Sequence, residues 1–195
     1  MTSTNQQTSE IVIRTWHGEL SDNLKISEYI DSVVTDTSQE VLEIGTWHGV
    51  LSDRLYSRGI KITSTEPVST APIWAFKKPY PVKLLKYEEA LNLKHWDLVI
   101  ANNVIHHLHS PYHFWDVMVA SCDRLIVSGC AIHNNVRHII DNDPNSNFGV
   151  HSRIIRLPTE YHISYLTELG WNIDEYHTNF SDTLGRKSWL VDASR

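Results

Sequence analysis

Val41-Leu42-Glu43-Ile44-Gly45-Thr46-Trp47-His48-Gly49-Val50 decides the fold. Val41, Leu42 and Ile44 are apolar, β-favouring residues, and a run of them ending in glycine reads as a buried strand that breaks into a turn. Gly45 permits that turn, and Gly49 lets the next helix, Val50 to Ser57, pack closely on the strand. Strand, glycine turn and helix in this order make a nucleotide-type cofactor loop, with backbone N–H groups at the helix start directed at the ligand. Glu43, just ahead of the first glycine, departs from the bare G-x-G-x-x-G pattern. A carboxylate accepts from an ammonium or a hydroxyl, so it suits a cofactor with a cationic amino-acid end better than a pyrophosphate.

Working outward, Ile11-Val12-Ile13 is a short apolar run, and Leu20 to Val34 has the apolar spacing of an amphipathic helix opened by Ser21 or Asp22. Lys61 to Glu66 reads as a second strand stopped by Pro67. Val82 to Leu85, Asp97 to Ala101 and Arg124 to Ser128 read as further strands, with Tyr112 to Cys122 helical between the last two. The Asn- and Asp-rich stretch Asp141 to Gly149 reads as a loop, and a last helix runs from Pro158-Thr159-Glu160 to Leu169-Gly170. Trp171 to His177 and Arg186 to Asp192 have strand composition around a turn at Ser181 to Gly185. These alternating units predict an α/β, doubly wound, mostly parallel seven-stranded sheet closed by a C-terminal antiparallel hairpin strand. Residues 1–37 are expected as an N-terminal helical or lid segment and 38–195 as one domain. In such sheets ligands bind at the carboxyl ends of the strands, where the strand order reverses.

A chain of 195 residues that is 41% hydrophobic suits one core, and its net charge of −6 disfavours a nucleic-acid partner. Met1 to Glu10 is polar, and no apolar run approaches membrane-spanning length, so a soluble cytoplasmic protein is expected. Cys122 and Cys130 read as two core thiols in a reducing compartment.

Three landmarks in register resemble the class I S-adenosylmethionine-dependent methyltransferases, over roughly residues 38–192. The first is Glu43-Ile44-Gly45-Thr46-Trp47-His48-Gly49, similar to E/D-x-G-x-G-x-G with Trp47 in place of the middle glycine. The others are Glu66-Pro67 at the end of the second strand and Trp96 to Leu108, which is similar to the fourth-strand segment ending in His-His-Leu. The resemblance implies S-adenosyl-L-methionine as cofactor. Glu43 would accept from its ammonium, the backbone from Gly45 through Thr46, Trp47 and His48 to Gly49 would meet its carboxylate, and Glu66 beside Pro67 would hold the ribose hydroxyls. Glu88 is the candidate for the adenine amine, and Asn102 for the neighbourhood of the sulfonium. His107 or His106 would act as base, an imidazole titrating near the working pH. Where catechol-type relatives hold magnesium through an aspartate this chain has Asn102, so no metal is expected.

Two features stand outside the resemblance. Thr15-Trp16-His17-Gly18-Glu19-Leu20-Ser21-Asp22-Asn23-Leu24 matches Thr46 to Leu55 at eight of ten positions, either a duplicated helix start or a flap over the cofactor mouth. His109 and His113 have a helical metal-compatible spacing, but no cysteine or carboxylate cluster completes a site. The function implied is methyl transfer to oxygen or nitrogen of a small-molecule acceptor, with Trp74, Phe76, Tyr80, Tyr112, Phe114 and Trp115 available for an apolar pocket. Two alternatives stay open: a tRNA wobble-uridine modifying enzyme, faintly suggested by Gly185 to Val191, and a non-catalytic binding protein of the same fold with Trp47 filling its pocket.

Overall fold

Period-two alternation along the central strands separates two cores. In a computed structural model, which describes residues 21–47, 49–67, 77–108, 110–130, 138–140, 154–181 and 187–195, strand β1 is Glu40–Ile44. Its Val41 faces one core and its Leu42 and Ile44 the other. The remaining strands are β2 (Lys61–Thr65), β3 (Val82–Lys83), β4 (Trp96–Ala101), β5 (Cys122–Cys130), β6 (His138–Ile140), β7 (Ile154–Arg156), β8 (Asn172–Ser181) and β9 (Lys187–Ser194). Seven of them form one sheet in the order β3-β2-β1-β4-β5-β9-β8, with β9 antiparallel to both its neighbours. This is the class I methyltransferase fold, as the sequence predicts. Among the described residues no helix is long and apolar enough to cross a membrane.

Helices α1 (Ser21–Val33) and α2 (Val50–Ser57) cover one face, where Ile26, Ile30, Leu51 and Leu55 are buried against Val41, Ile62, Leu98, Ile100 and Ile126. Helices α3 (Tyr87–Leu91), α4 (Pro111–Ser121) and α5 (Thr159–Glu168) cover the other, on Leu42, Val99, Leu125 and Val191. Full burial of each such side chain stabilises by roughly 1.5–3 kcal/mol, which outweighs the surface pairs Asp31–Arg54 and Asp31–Arg58 that also join α1 to α2. Helix α1, within the segment 1–37 expected to be helical or a lid, packs into this layer through Ile26 and Ile30. On the opposite face Trp115 Nε1 donates to His162 Nδ1 at 3.1 Å, and the His162 ring stacks on Trp189 with centroids 4.6 Å apart. Burial pushes His162 down to about 3, so it stays neutral.

Several elements differ from the reading of the sequence. The third strand stops at Lys83, because the Leu85 N–H turns back to the Lys83 carbonyl. Helix α3 follows it, a five-residue helix whose start is held by Lys86 N donating to Glu89 Oε2. Strands β6 and β7 pair as a separate two-stranded sheet, joined through the segment read as the Asp141 to Gly149 loop, which lies outside the described residues. The first copy of the duplicated segment lies outside them too, up to Leu20, and α1 begins at the Ser21 that corresponds to Ser52 within α2. Cys122 is buried, with its thiol pushed up to about 12 by that burial.

Candidate functional site

The strand order reverses between β1 and β4, so the turn after β1 and the loop after β4 meet at the carboxyl edge of the sheet. A Cβ on Gly45 would stand 2.5 Å from Val104 Cγ2, which measures how closely they approach. The turn after β1 alternates into the left-handed region at Gly45 (φ 71°), Trp47 (φ 44°) and Gly49 (φ 72°). For Trp47, half-buried and not glycine, that conformation costs on the order of 1–2 kcal/mol. The turn is held from β2: Gly45 and Thr46 N–H donate to the Thr65 carbonyl, and Trp47 N–H donates to Glu66 Oε2 at 3.0 Å. Gly49 N–H donates to the Thr46 carbonyl at 2.8 Å. Of the N–H groups from Gly45 to Gly49 that the sequence reading directs at a ligand, those of Gly45, Thr46, Trp47 and Gly49 are therefore engaged within the protein. The donors that helix geometry leaves over lie in the first turn of α2, from Val50 onward. Gly49 is required by its φ, and a Cβ there would first meet the ends of the Tyr80 and Lys78 side chains, at 2.7 and 3.0 Å.

Glu43 shares the face of Val41, so its carboxylate points toward α2 and is 3% exposed. The partners there are hydroxyls. Ser52 donates to Glu43 Oε2, Ser52 pairs with Ser64 at 2.5 Å, and Thr46 lies 3.4 Å from Ser52. Burial pushes Glu43 up to about 7; its hydroxyl partners oppose this, and the nearby Glu66 carboxylate adds to it. Glu66 is 4% exposed, and Pro67 behind it is half-buried. Beside the turn, Tyr80 donates to Asp53 Oδ1 at 3.0 Å and to the Gly49 carbonyl at 3.3 Å, while Lys78 Nζ pairs with Asp53 Oδ2 at 2.6 Å. Burial, and then the Asp53 carboxylate, hold the Tyr80 phenol far above its ordinary range.

Across the crevice, Ser128 donates to Asn102 Oδ1 at 2.7 Å while accepting from Asn103 N–H at 3.0 Å, which fixes the start of the loop after β4. Asn103 is left-handed (φ 58°), a conformation asparagine tolerates. A 3-10 turn at Ile105–His107 follows, in contact with β5 and β7. His106 is buried, His107 is half-buried, and their rings lie 4.1 Å apart. Glu88 stands in the first turn of α3, with its Oε2 shielded from solvent and its carboxylate beside the Tyr87 phenol, which burial and then that charge hold above its ordinary range.

Of the predicted residues, Glu43, Gly45, Thr46, Trp47, Gly49, Glu66 and Pro67 come together at the switch point, with Asn102, His106 and His107 on the loop opposite. His48, His109, Trp74 and Phe76 lie outside the described residues. Phe114 and Trp115 do not line an acceptor pocket: both are fully buried in the core under α4. The parts played by Ser52, Ser64, Asp53 and Lys78 escape the sequence reading, and Tyr80, read there as an aromatic for an acceptor pocket, is buried beside the turn with its hydroxyl on Asp53. The signal for Ser64 is present, since Ile62, Ser64 and Glu66 form a period-two face that turns from apolar to polar alongside Val41 and Glu43. Among the described residues no group of three or more His, Cys, Asp or Glu side chains could hold a metal ion.

No protein-family model matches the chain, and no curated protein matches its sequence. Solved structures do match, and they carry the class I methyltransferase fold. One is the Burkholderia thailandensis 1,6-didemethyltoxoflavin-N1-methyltransferase with bound 1,6-didemethyltoxoflavin and S-adenosylhomocysteine, at a TM-score of 0.70 and 12% identity over 100% of this chain and 92% of that one. The glycopeptide N-methyltransferase MtfA complexed with S-adenosyl-L-methionine matches at 0.64 and 13%, over 86% of this chain and 92% of its own. The CcbJ methyltransferase from Streptomyces caelestis matches at 0.62 and 13%, over 87% and 88%.

Proposed function

We propose that this crevice binds S-adenosyl-L-methionine and that the protein transfers its methyl group to oxygen or nitrogen of a small-molecule acceptor in the cytoplasm. The observation that carries the reading is the meeting, at the sheet's switch point, of a left-handed glycine turn, flanked by the buried carboxylates of Glu43 on β1 and Glu66 after β2, with the loop that carries His106 and His107. The residues present fit the cofactor. Glu66 has acceptor oxygens for ribose hydroxyls, with Pro67 shaping the end of β2, and the solvent-shielded Glu88 Oε2 suits an amine donor such as that of adenine. The first turn of α2 and Glu43 serve the amino-acid end, one by its free N–H groups and the other by negative charge.

When bound, the cofactor supplies an electrophilic methyl group on a sulfonium. The protein contributes position and a proton acceptor. Asn102, locked by Ser128, marks the edge of the crevice beside the reacting centre, and His107, the less buried of the two histidines, takes the acceptor's proton on an imidazole nitrogen. His106 backs its ring. A small acceptor accords with the net charge of −6 and with the 1,6-didemethyltoxoflavin bound by the Burkholderia thailandensis enzyme of the same fold.

Titration calorimetry with S-adenosylmethionine and S-adenosylhomocysteine tests the site, and an acceptor screen with His107→Ala tests the chemistry. Micromolar binding supports the proposal. Absence of binding by both ligands sinks it in favour of a non-catalytic protein of this fold.

A further inference from the structure

Glu43 differs from the other carboxylates of the crevice. Glu66 accepts a backbone N–H and Asp53 is paired with Lys78, whereas the partners of Glu43 are the hydroxyls of Ser52, Thr46 and Ser64. A hydroxyl is donor and acceptor at once, so three hydroxyl rotors can serve a carboxylate or turn to accept from a carboxylic acid with no heavy atom moving. A guanidinium or a row of amides in their place would commit the group to its anion. The packed elements add little to hold a charge there. Strand β2 offers Ser64 and the like-charged Glu66, β4 places Ile100 in register, and α1 presents Ile26 and Ile30. Helix α2 offers Ser52, with Asp53 turned to Lys78 and Tyr80, and the Tyr80 phenol, which also meets Ser52 and feels the Glu43 charge, brings no positive charge. Burial pushes Glu43 up to about 7, where both forms are populated under ordinary conditions.

The reactants of methyl transfer differ by one charge beside this group, since the cofactor is a sulfonium cation and its product a neutral thioether. Resting on the reading of the crevice as an S-adenosylmethionine site, we propose that Glu43 is a specificity-determining residue that separates cofactor from product by proton exchange. The sulfonium form binds as the Glu43 carboxylic acid releases one proton to solvent. The thioether leaves with that proton restored from solvent, so the anion that favours the cofactor does not retain the product.

The test is calorimetry of the full chain with S-adenosylmethionine and S-adenosylhomocysteine, between pH 6 and 8, in buffers of low and high ionisation enthalpy. Both ligands carry the same amino and carboxyl groups, so the difference between them isolates the sulfonium. Near pH 7 the cofactor should release more protons than the product, by up to about half a proton. The affinity ratio should rise by up to about tenfold per pH unit below 7 and level off above it, while Glu43→Gln is flat. Equal proton counts for the two ligands, or an unchanged pH profile in Glu43→Gln, overturn the inference alone. Absence of binding by both ligands overturns the site reading and this inference with it. If Glu43→Gln does not fold, the difference in proton count between the two ligands in the natural protein decides.

Discussion

Gly45→Ala probes the contact on which the site's geometry depends. Two separable costs are expected. The residue is left-handed, which costs an alanine about 1 kcal/mol, and its new Cβ would stand 2.5 Å from Val104 Cγ2. Forcing a methyl group into such a contact adds roughly 1–3 kcal/mol, so the total is about 2–4 kcal/mol. Gly170 supplies the control, because it is equally left-handed (φ 81°) with nothing within 4 Å of its added Cβ. Gly170→Ala should therefore show the conformational cost alone. Urea unfolding of both variants gives the difference, and Val104→Ala combined with Gly45→Ala should recover the steric part but not the conformational part. In a domain of this size each kcal/mol moves Tm by roughly 2–4 °C, so the two variants are readily told apart. If Gly45→Ala costs no more than Gly170→Ala, or if Val104→Ala recovers nothing, the turn and the loop do not meet as described.

Three further outcomes follow from the charges and hydrogen bonds. The raised Glu43 makes the folded state bind its proton more tightly than the unfolded chain does, so this group's contribution should fall by about 3 kcal/mol as pH rises from about 4.5 to about 7; urea midpoints at pH 5 and pH 8 should show that decline, and Glu43→Gln should lack it. His162 acts in the opposite sense: pushed down to about 3, it supports folding above the ordinary histidine range near 6.5 and loses that support as pH falls toward 3. His162→Phe should flatten the acid limb of a Tm-versus-pH curve while costing about 1–3 kcal/mol at neutral pH, because Trp115 Nε1 loses its acceptor. Glu66→Ala removes the acceptor of the Trp47 N–H and should cost about 1–2 kcal/mol together with at least about a tenfold loss of cofactor affinity, whereas Glu66→Gln, keeping one acceptor oxygen, should recover the stability; unchanged cofactor binding in Glu66→Ala would remove it from the site.

The parts of the fold legible in the sequence are those with a long enough period. Strand β1, helix α2 and strand β2 each repeat their pattern over several residues, and the structure places them with the bounds the pattern implies to within a residue or two. Helix α3 spans barely more than one turn, too short to show a 3.6-residue period, and β6 and β7 contribute three residues each. In the site, the turn and its two acids were legible because strand, glycine and helix are contiguous. The partners of Glu43 were not, since Ser52 and Ser64 reach it from a different helix and a different strand. Phe114 and Trp115 misled for a related reason: composition places aromatics near the mouth, but helix phase, which turns both into the core, decides what they line.

The carboxylates also argue about which ligand class suits this crevice. Glu43 and Glu66 stand at the switch point with Asp53 beside the turn, and Lys78, the cation described there, is already paired with Asp53. A unit charge about 6 Å from one carboxylate interacts by about 3 kcal/mol at an effective dielectric of about 20. A pyrophosphate placed there would meet that magnitude as repulsion more than once, while the Gly45, Thr46 and Trp47 N–H groups are already bound to Thr65 and Glu66, which leaves the first turn of α2 alone to offset it. An ammonium and a sulfonium would meet it as attraction. The same doubly wound sheet that receives dinucleotides elsewhere is here lined with the opposite charge, so the acids of this chain, more than its glycines, support the proposed cofactor. The same sum bears on turnover: a product that has lost its sulfonium charge loses one such attraction, and a Glu43 that takes up a proton gives up the rest of its share.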